Sequence, residues 1–202
     1  MKLVIATGNQ GKVREFTAAL APLGFELVSA RDAGIEAFPE ETGKTYEENA
    51  RIKALHVANS SGQLSLADDS GLEVDALQGA PGLYSARYGE LASDKERTLH
   101  LLSNLTDVEM GKRQARFVCS LVLAKPDSQN RSFWGEAPGE LLMAPQGTEG
   151  FGYDPIFFSP VLGKTFAEAT EAEKRKVSHR GNALRNLTEW LSTAEAKSFL
   201  HN

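Results

Sequence analysis

The apolar positions of the chain change period several times, and each change marks an element. Leu3-Val4-Ile5-Ala6-Thr7 is a short continuous apolar run and reads as a buried strand. It ends at Gly8-Asn9-Gln10-Gly11-Lys12. Val13, Phe16, Ala19 and Leu20 then recur on one helical face, stopping near Pro22 and Gly24, and Phe25 to Ser29 reads as a second strand. Strand, glycine-containing turn, helix, strand is the opening of a βαβ unit. After an acidic loop over residues 31–44, Thr45-Tyr46-Glu47-Glu48 has capping-box spacing and predicts a helix to about Ser60.

Leu64 to Ala67 is strand-like, Asp68-Asp69-Ser70-Gly71 reads as a turn, and Leu72 to Ala76 resumes a strand. Gly79-Ala80-Pro81-Gly82 is a loop, and Ser93-Asp94-Lys95-Glu96 caps a helix through about Leu105. Arg113 to Lys125 and Arg131 to Met143 are strand-rich runs joined by the turn-like Pro126-Asp127-Ser128-Gln129-Asn130. They predict an antiparallel pair and hence a mixed sheet, with Pro138-Gly139 interrupting the second run. A glycine-rich loop, Gly147 to Gly152, precedes a short strand over Pro155 to Phe158. Helices are expected near 170–176 and 179–192, the latter with Leu184, Leu187 and Leu191 as its apolar stripe. No repeat or linker interrupts this order, so the expectation is a single α/β domain over residues 1–202.

Composition narrows the class. A chain of 202 residues with 41% hydrophobic and 24% charged residues can bury a sizeable core. The formal charge of −5 argues against a sequence-independent grip on a nucleic-acid polymer, yet a few local cations suffice for one small anion. The single cysteine, Cys119, lies in the strand-like Phe117 to Leu123 and reads as a core thiol rather than a nucleophile. No apolar run approaches the ~18 residues of a membrane span, and Leu3 to Ala6 is too short for a signal-peptide core. A soluble cytoplasmic protein is expected.

Six segments are candidates for chemistry. Between a strand and a helix, Gly8-Asn9-Gln10-Gly11-Lys12 reads either as an anion cradle of backbone N–H groups, with Lys12 adding charge, or as an ordinary strand-to-helix turn. It is not a Walker A loop: two residues separate the glycines, and Val13 follows the lysine. Adjacent aspartates at Asp68 and Asp69 repel, a cost easier to rationalise with a cation beside them; the alternative is a solvated turn. Glu40-Glu41-Thr42-Gly43 reads either as a second metal carboxylate supplied from a loop or, on its own residues, as a solvated acidic turn. Asn49 and Lys53, four apart on one helix, read as its wet side unless a ligand claims them. Phe151-Gly152-Tyr153-Asp154-Pro155 combines two aromatics with an acid, for stacking on a base or plugging a core. Ser178-His179-Arg180-Gly181 looks like a helix start, with donors that serve either a ligand or the surface.

Taken in order, these segments resemble the inosine triphosphate pyrophosphatase family, which removes ITP, dITP and XTP. The matching segments are Ala6 to Lys12, Glu41-Thr42-Gly43, Glu48-Asn49-Ala50, Ala67 to Leu72, Gly79 to Gly82 with Ser85 to Tyr88, Phe151 to Pro155, and Ser178 to Gly181. They run from residue 6 to residue 181.

The resemblance implies an elongated mixed β-sheet flanked by helices, with two lobes around a central nucleotide-binding cleft, and a homodimer. It implies Mg²⁺ as cofactor, with Glu41 and Asp69 at the metal, and Asp69 as general base. Thr7, Gly8, Asn9, Gln10, Gly11 and Lys12 would cradle the triphosphate, with Lys53 facing phosphate. Ser70, Phe151, Gly152, Tyr153, Asp154 and Lys174 match substrate contacts, and His179 and Arg180 lie near the base. The expected reaction releases pyrophosphate and clears the nucleotide pool. A nucleotide-binding regulator and a pyrophosphatase for modified pyrimidines or methylated nucleotides are the competing expectations.

Overall fold

The computed structural model of the chain describes residues 1–201. Strand β1 (Lys2–Ile5) runs parallel to both its neighbours, β2 (Glu26–Ser29) and β3 (Leu64–Val74), with Val4 opposite Val28 and Ser65. These parallel connections are made by helices α1 (Gln10–Leu20) and α2 (Tyr46–Ser61), as a parallel pair requires. After α3 (Asp94–Ser103) come β4 (Gln114–Ala124) and β5 (Asn130–Leu141). Only five residues connect them, too few for a parallel crossover, so β4 and β5 are an antiparallel hairpin. Lys125 N–H donates to Gln129 O at the turn and Leu141 N–H to Arg113 O at the far end, as that register demands. Short strands β6 (Phe157–Ser159) and β7 (Lys164–Thr165) add on antiparallel. The result is a mixed seven-stranded sheet in the order β2-β1-β3-β4-β5-β6-β7. Helices α4 (Glu171–Val177), α5 (His179–Leu191) and α6 (Ala194–His201) complete the chain.

The chain divides into two compact units. The first comprises Met1–Asp69, Cys119–Gly135 and the described part of the C-terminal segment from Asn182; the second comprises Ser70–Val118 and Glu136–Gly181. In the first unit, strand alternation sorts the core. Leu3, Ile5, Leu64, Leu66, Cys119, Leu121 and Leu123 face Phe16, Leu20, Leu184, Leu187 and Trp190, on α1 and α5. Val4, Ala6, Ala67, Val122 and Ala124 face Ala50, Ala54, Val57 and Ala58 of α2. The alanine stripe lets α2 lie close to the sheet. The second unit has its own core of Leu72, Val74, Leu101, Leu105, Phe117, Ile156, Phe157 and Phe166. Among the described residues no helix is long and apolar enough to cross a membrane.

Several expectations change. Asp68-Asp69-Ser70-Gly71 is not a turn: β3 continues through it for eleven residues. Ladder bonding and burial on both faces outweigh the local turn preference of Asp, Ser and Gly. Strand β5 likewise carries Pro138 and Gly139 without a break, and α6 follows the expected last helix. Thr45 caps α2 through Glu48 N–H, but the Glu48 carboxylate reaches Lys44 N–H instead of closing the box.

Candidate active site

Because β3 is one strand, Asp68 and Asp69 point to opposite faces. Asp68 shares the α1 side with Leu64 and Leu66, and its fully buried carboxylate pairs with Lys12 Nζ at 2.9 Å. Asp69 shares the α2 side with Ala67 and meets Asn49 and Lys53 there. Asn49 Nδ2 donates to Asp69 Oδ2 at 3.2 Å, and Lys53 Nζ lies 3.5 Å from Oδ1. Lys53 also donates to Glu41 Oε1 at 2.6 Å, so one ammonium joins both carboxylates.

The turn before α2 is docked by Asn49. Gly43 N–H donates to Asn49 Oδ1 at 2.8 Å, and a Cβ at Gly43 would fall on Asn49 and Glu48. Asn49 is only 1% exposed, a buried residue where the sequence suggested a wet face. Burial pushes the Asp69 carboxyl up and Glu41 adds to it, against the opposing pull of Lys53, Lys12 and Asn49. For Lys53, burial works against the ammonium, but Asp69, Asp68 and Glu41 outweigh it and raise its pKa. A buried carboxyl with a raised pKa beside a fixed cation is a competent proton acceptor.

The loop from Thr7 to Lys12 differs from a bare anion cradle. Asn9 caps α1, its Oδ1 accepting from Gly11 N–H at 2.8 Å and Lys12 N–H at 3.2 Å, while Thr7 Oγ1 accepts from Asn9 N–H. Gly8, Asn9 and Gln10 are exposed. Lys12 is committed to Asp68, whose charge it offsets. Among the described residues no group of three or more His, Cys, Asp or Glu side chains is placed to hold a metal unaided. Glu41 and Asp69, converging on the Lys53 cation, are hard-oxygen donors of the kind that bind Mg²⁺ jointly with substrate phosphates.

The remaining candidates gather in the second unit. Lys174 Nζ donates to Asp154 Oδ2 at 2.6 Å and lies 4.8 Å from the Phe151 ring centre; Arg180 lies against the same ring at 5.8 Å. Arg180 also donates to Ser70 Oγ at 3.2 Å, and His179 stacks on Phe117 at 4.7 Å. His179 and Arg180 are buried, at the start of α5, where Ser178 Oγ accepts from Gly181 N–H. Tyr153 is also buried; its hydroxyl donates to Ser85 O at 2.9 Å, and burial raises its pKa, keeping it a neutral donor. Sequence reasoning missed Asn49 as a site residue, although it lies in the Glu48-Asn49-Ala50 segment and one helical turn before Lys53.

Fold and side chains together define a mixed-sheet α/β protein with a buried carboxylate–lysine cluster on an inner strand and an aromatic loop flanked by cations. Residues 3–190 match the Ham1 family, and the chain belongs to that family. It is 52% identical over 189 residues to a dITP/XTP pyrophosphatase of Thermus thermophilus, covering 94% of this chain and 91% of the relative. A HAM1 protein of Coxiella burnetii superposes with a TM-score of 0.86 at 38% identity, over 95% of this chain and 98% of that one. The Ham1 protein of Staphylococcus aureus gives 0.83 at 39%, with the same coverage.

Proposed function

We propose that this Ham1-family protein hydrolyses dITP, XTP and ITP to the monophosphate and pyrophosphate, keeping them out of DNA and RNA. The observation that carries the reading is Asp69: a buried carboxylate held by Asn49 and Lys53, in a chain 52% identical to a relative named for that activity. Asp69 accepts a proton from the water that forms the new bond to the α-phosphorus, and the bond to the pyrophosphate oxygen breaks. Lys53 supplies fixed positive charge for the phosphates, and Lys12 keeps Asp68 neutralised, so positioning and electrostatics carry most of the work. Glu41 and Asp69 would hold a Mg²⁺ ion, which when bound offsets charge on the phosphates. The cradle role of Thr7 to Lys12 rests on the exposed loop residues Gly8 and Asn9 and on Gln10, the exposed first residue of α1.

Phe151 offers a face to the base, and Lys174, His179 and Arg180 supply donors that suit a 6-oxo acceptor and leave an amino group mismatched. The family resemblance extends this reading to a homodimer, and the formal charge of −5 favours a small nucleotide over a nucleic-acid polymer as its partner, in a protein proposed to act in the cytoplasm. Pyrophosphate release from dITP, XTP, ITP, GTP, ATP and UTP with Mg²⁺ tests the proposal. A preference for dITP and XTP over ATP of about a hundredfold or more in kcat/KM is expected from a buried donor–acceptor mismatch. Equal rates on ATP would overturn the substrate assignment.

A further inference from the structure

The aromatic loop that offers Phe151 is glycine-rich and turns through Gly152 at φ +62°, a position that glycine takes without a Cβ penalty but with more backbone freedom to lose than any other residue. It is nevertheless held on both sides of Gly152. Asp94 Oδ2 accepts from Gly152 N–H at 2.8 Å, and Thr98 Oγ1 donates to Gly152 O at 3.3 Å. Asp94 and Thr98 are four apart on the first turns of α3, so one helix face meets both polar groups of one residue. Asp94 is not needed as the helix cap: Ser93 and Glu96 form a complete capping box without it. Its other oxygen pairs with Arg97, which also donates to Leu91 O, fixing the carboxylate's direction. The neighbouring residues are tied by different groups, Phe151 N–H to Asp154 Oδ2 and Tyr153 to Ser85 O.

We infer that Asp94, assisted by Thr98, is a positioning residue for nucleotide binding: it acts through Gly152 to hold Phe151 ready for the base. The inference rests on the proposed role of Phe151 and extends it to α3, which no segment of the family resemblance includes. Preorganising a ring before its ligand arrives removes an ordering cost from binding and leaves the chemical step alone. The effect therefore belongs in KM and not in kcat. The interaction needs an acceptor on Asp94, so Asn at this position retains it and Ala does not.

The test compares Asp94→Ala, Asp94→Asn and Thr98→Val with wild type on dITP, together with hydrogen exchange at the Gly152 amide. Asp94→Ala is expected to raise KM about tenfold, the worth of one hydrogen bond to a charged group, with kcat within twofold. Gly152 exchange accelerates in the same variant, and Asp94→Asn restores most of both. Unchanged KM in Asp94→Ala, or equal damage from Asn and Ala, overturns the inference. Should Asp94→Ala fail to fold by circular dichroism, Thr98→Val carries the test: KM raised about threefold supports the clamp, and unchanged KM overturns it. Wild type that releases no pyrophosphate from any nucleotide defeats the functional proposal instead. Gly152 exchange needs no turnover and judges the clamp separately.

Discussion

Adjacent strand residues face opposite ways, and Asp68 and Asp69 have different work for that reason. Asp68 meets Lys12 in a buried ion pair, an arrangement that anchors α1 to β3. Asp69 meets Asn49 and Lys53, and its two oxygens are distinguished: Oδ2 accepts from Asn49, and Oδ1 faces Lys53. The general-base proposal concerns Asp69 alone. Asp69→Asn keeps the shape and removes the proton acceptor, so kcat on dITP should fall by about 10²–10⁴ while the thermal midpoint changes little. Near-normal kcat in that variant would remove Asp69 from the mechanism.

At the scale of elements, α4 shows how the chain around Lys174 is kept in place. Thr170 and Glu173 form a capping box, and the Glu173 carboxylate also receives Lys164 Nζ from β7 at 2.9 and 3.0 Å. Lys164 above all, then the Thr170 amide and hydroxyl, hold the Glu173 carboxyl down at about 2, from an ordinary 4.5. A depressed carboxyl stabilises the folded state fully above its unfolded value, and the contribution is lost as pH falls through the folded one. Glu173→Gln should therefore melt below wild type at pH 6, with the gap closing between pH 4.5 and about 2. A gap that is constant across that range would contradict the linkage. The continuity of β3 belongs to this scale too. A strand interrupted at Asp68 would not present alternate residues to α1 and α2 in register.

For the whole molecule, β3, β4 and β5 each contribute residues to both compact units. We propose that the chain unfolds as one domain, because neither unit holds β3, β4 or β5 complete without the other. Arg113 provides the test. Its guanidinium is buried in the second unit and donates to the carbonyls of Leu105, Val108 and Leu142, which join the end of α3 to β5. Arg113→Met leaves those carbonyls short of a donor and should cost on the order of 3 kcal/mol. Arg113→Lys should not rescue it, since an ammonium lacks the planar fork. Both tryptophans, Trp134 and Trp190, lie in the first unit. Their fluorescence in urea should shift to a lower midpoint in Arg113→Met, together with circular dichroism. A tryptophan transition that stays in place would mean two independent domains.

The chain's periodicity located β1, α1 and the β4–β5 hairpin, because each hides apolar residues at a spacing that one backbone period matches, and a capping signal located α2. The ordered motifs also named the residues that gather in each unit, and the family with them. Local pattern failed where long-range pairing overrode it. Asp68 to Gly71 carries turn-forming residues but lies within a sheet whose ladder bonds and flanking helices hold it extended. Asn49 looked like a wet helix position until the Gly43 amide and the Asp69 carboxylate closed over its two ends. Asp94 reads as an ordinary first-turn acid, and nothing near it in the chain points to Gly152, 58 residues away. Such contacts are decided by which surfaces the packed sheet and helices bring together, and that information is not local to any segment.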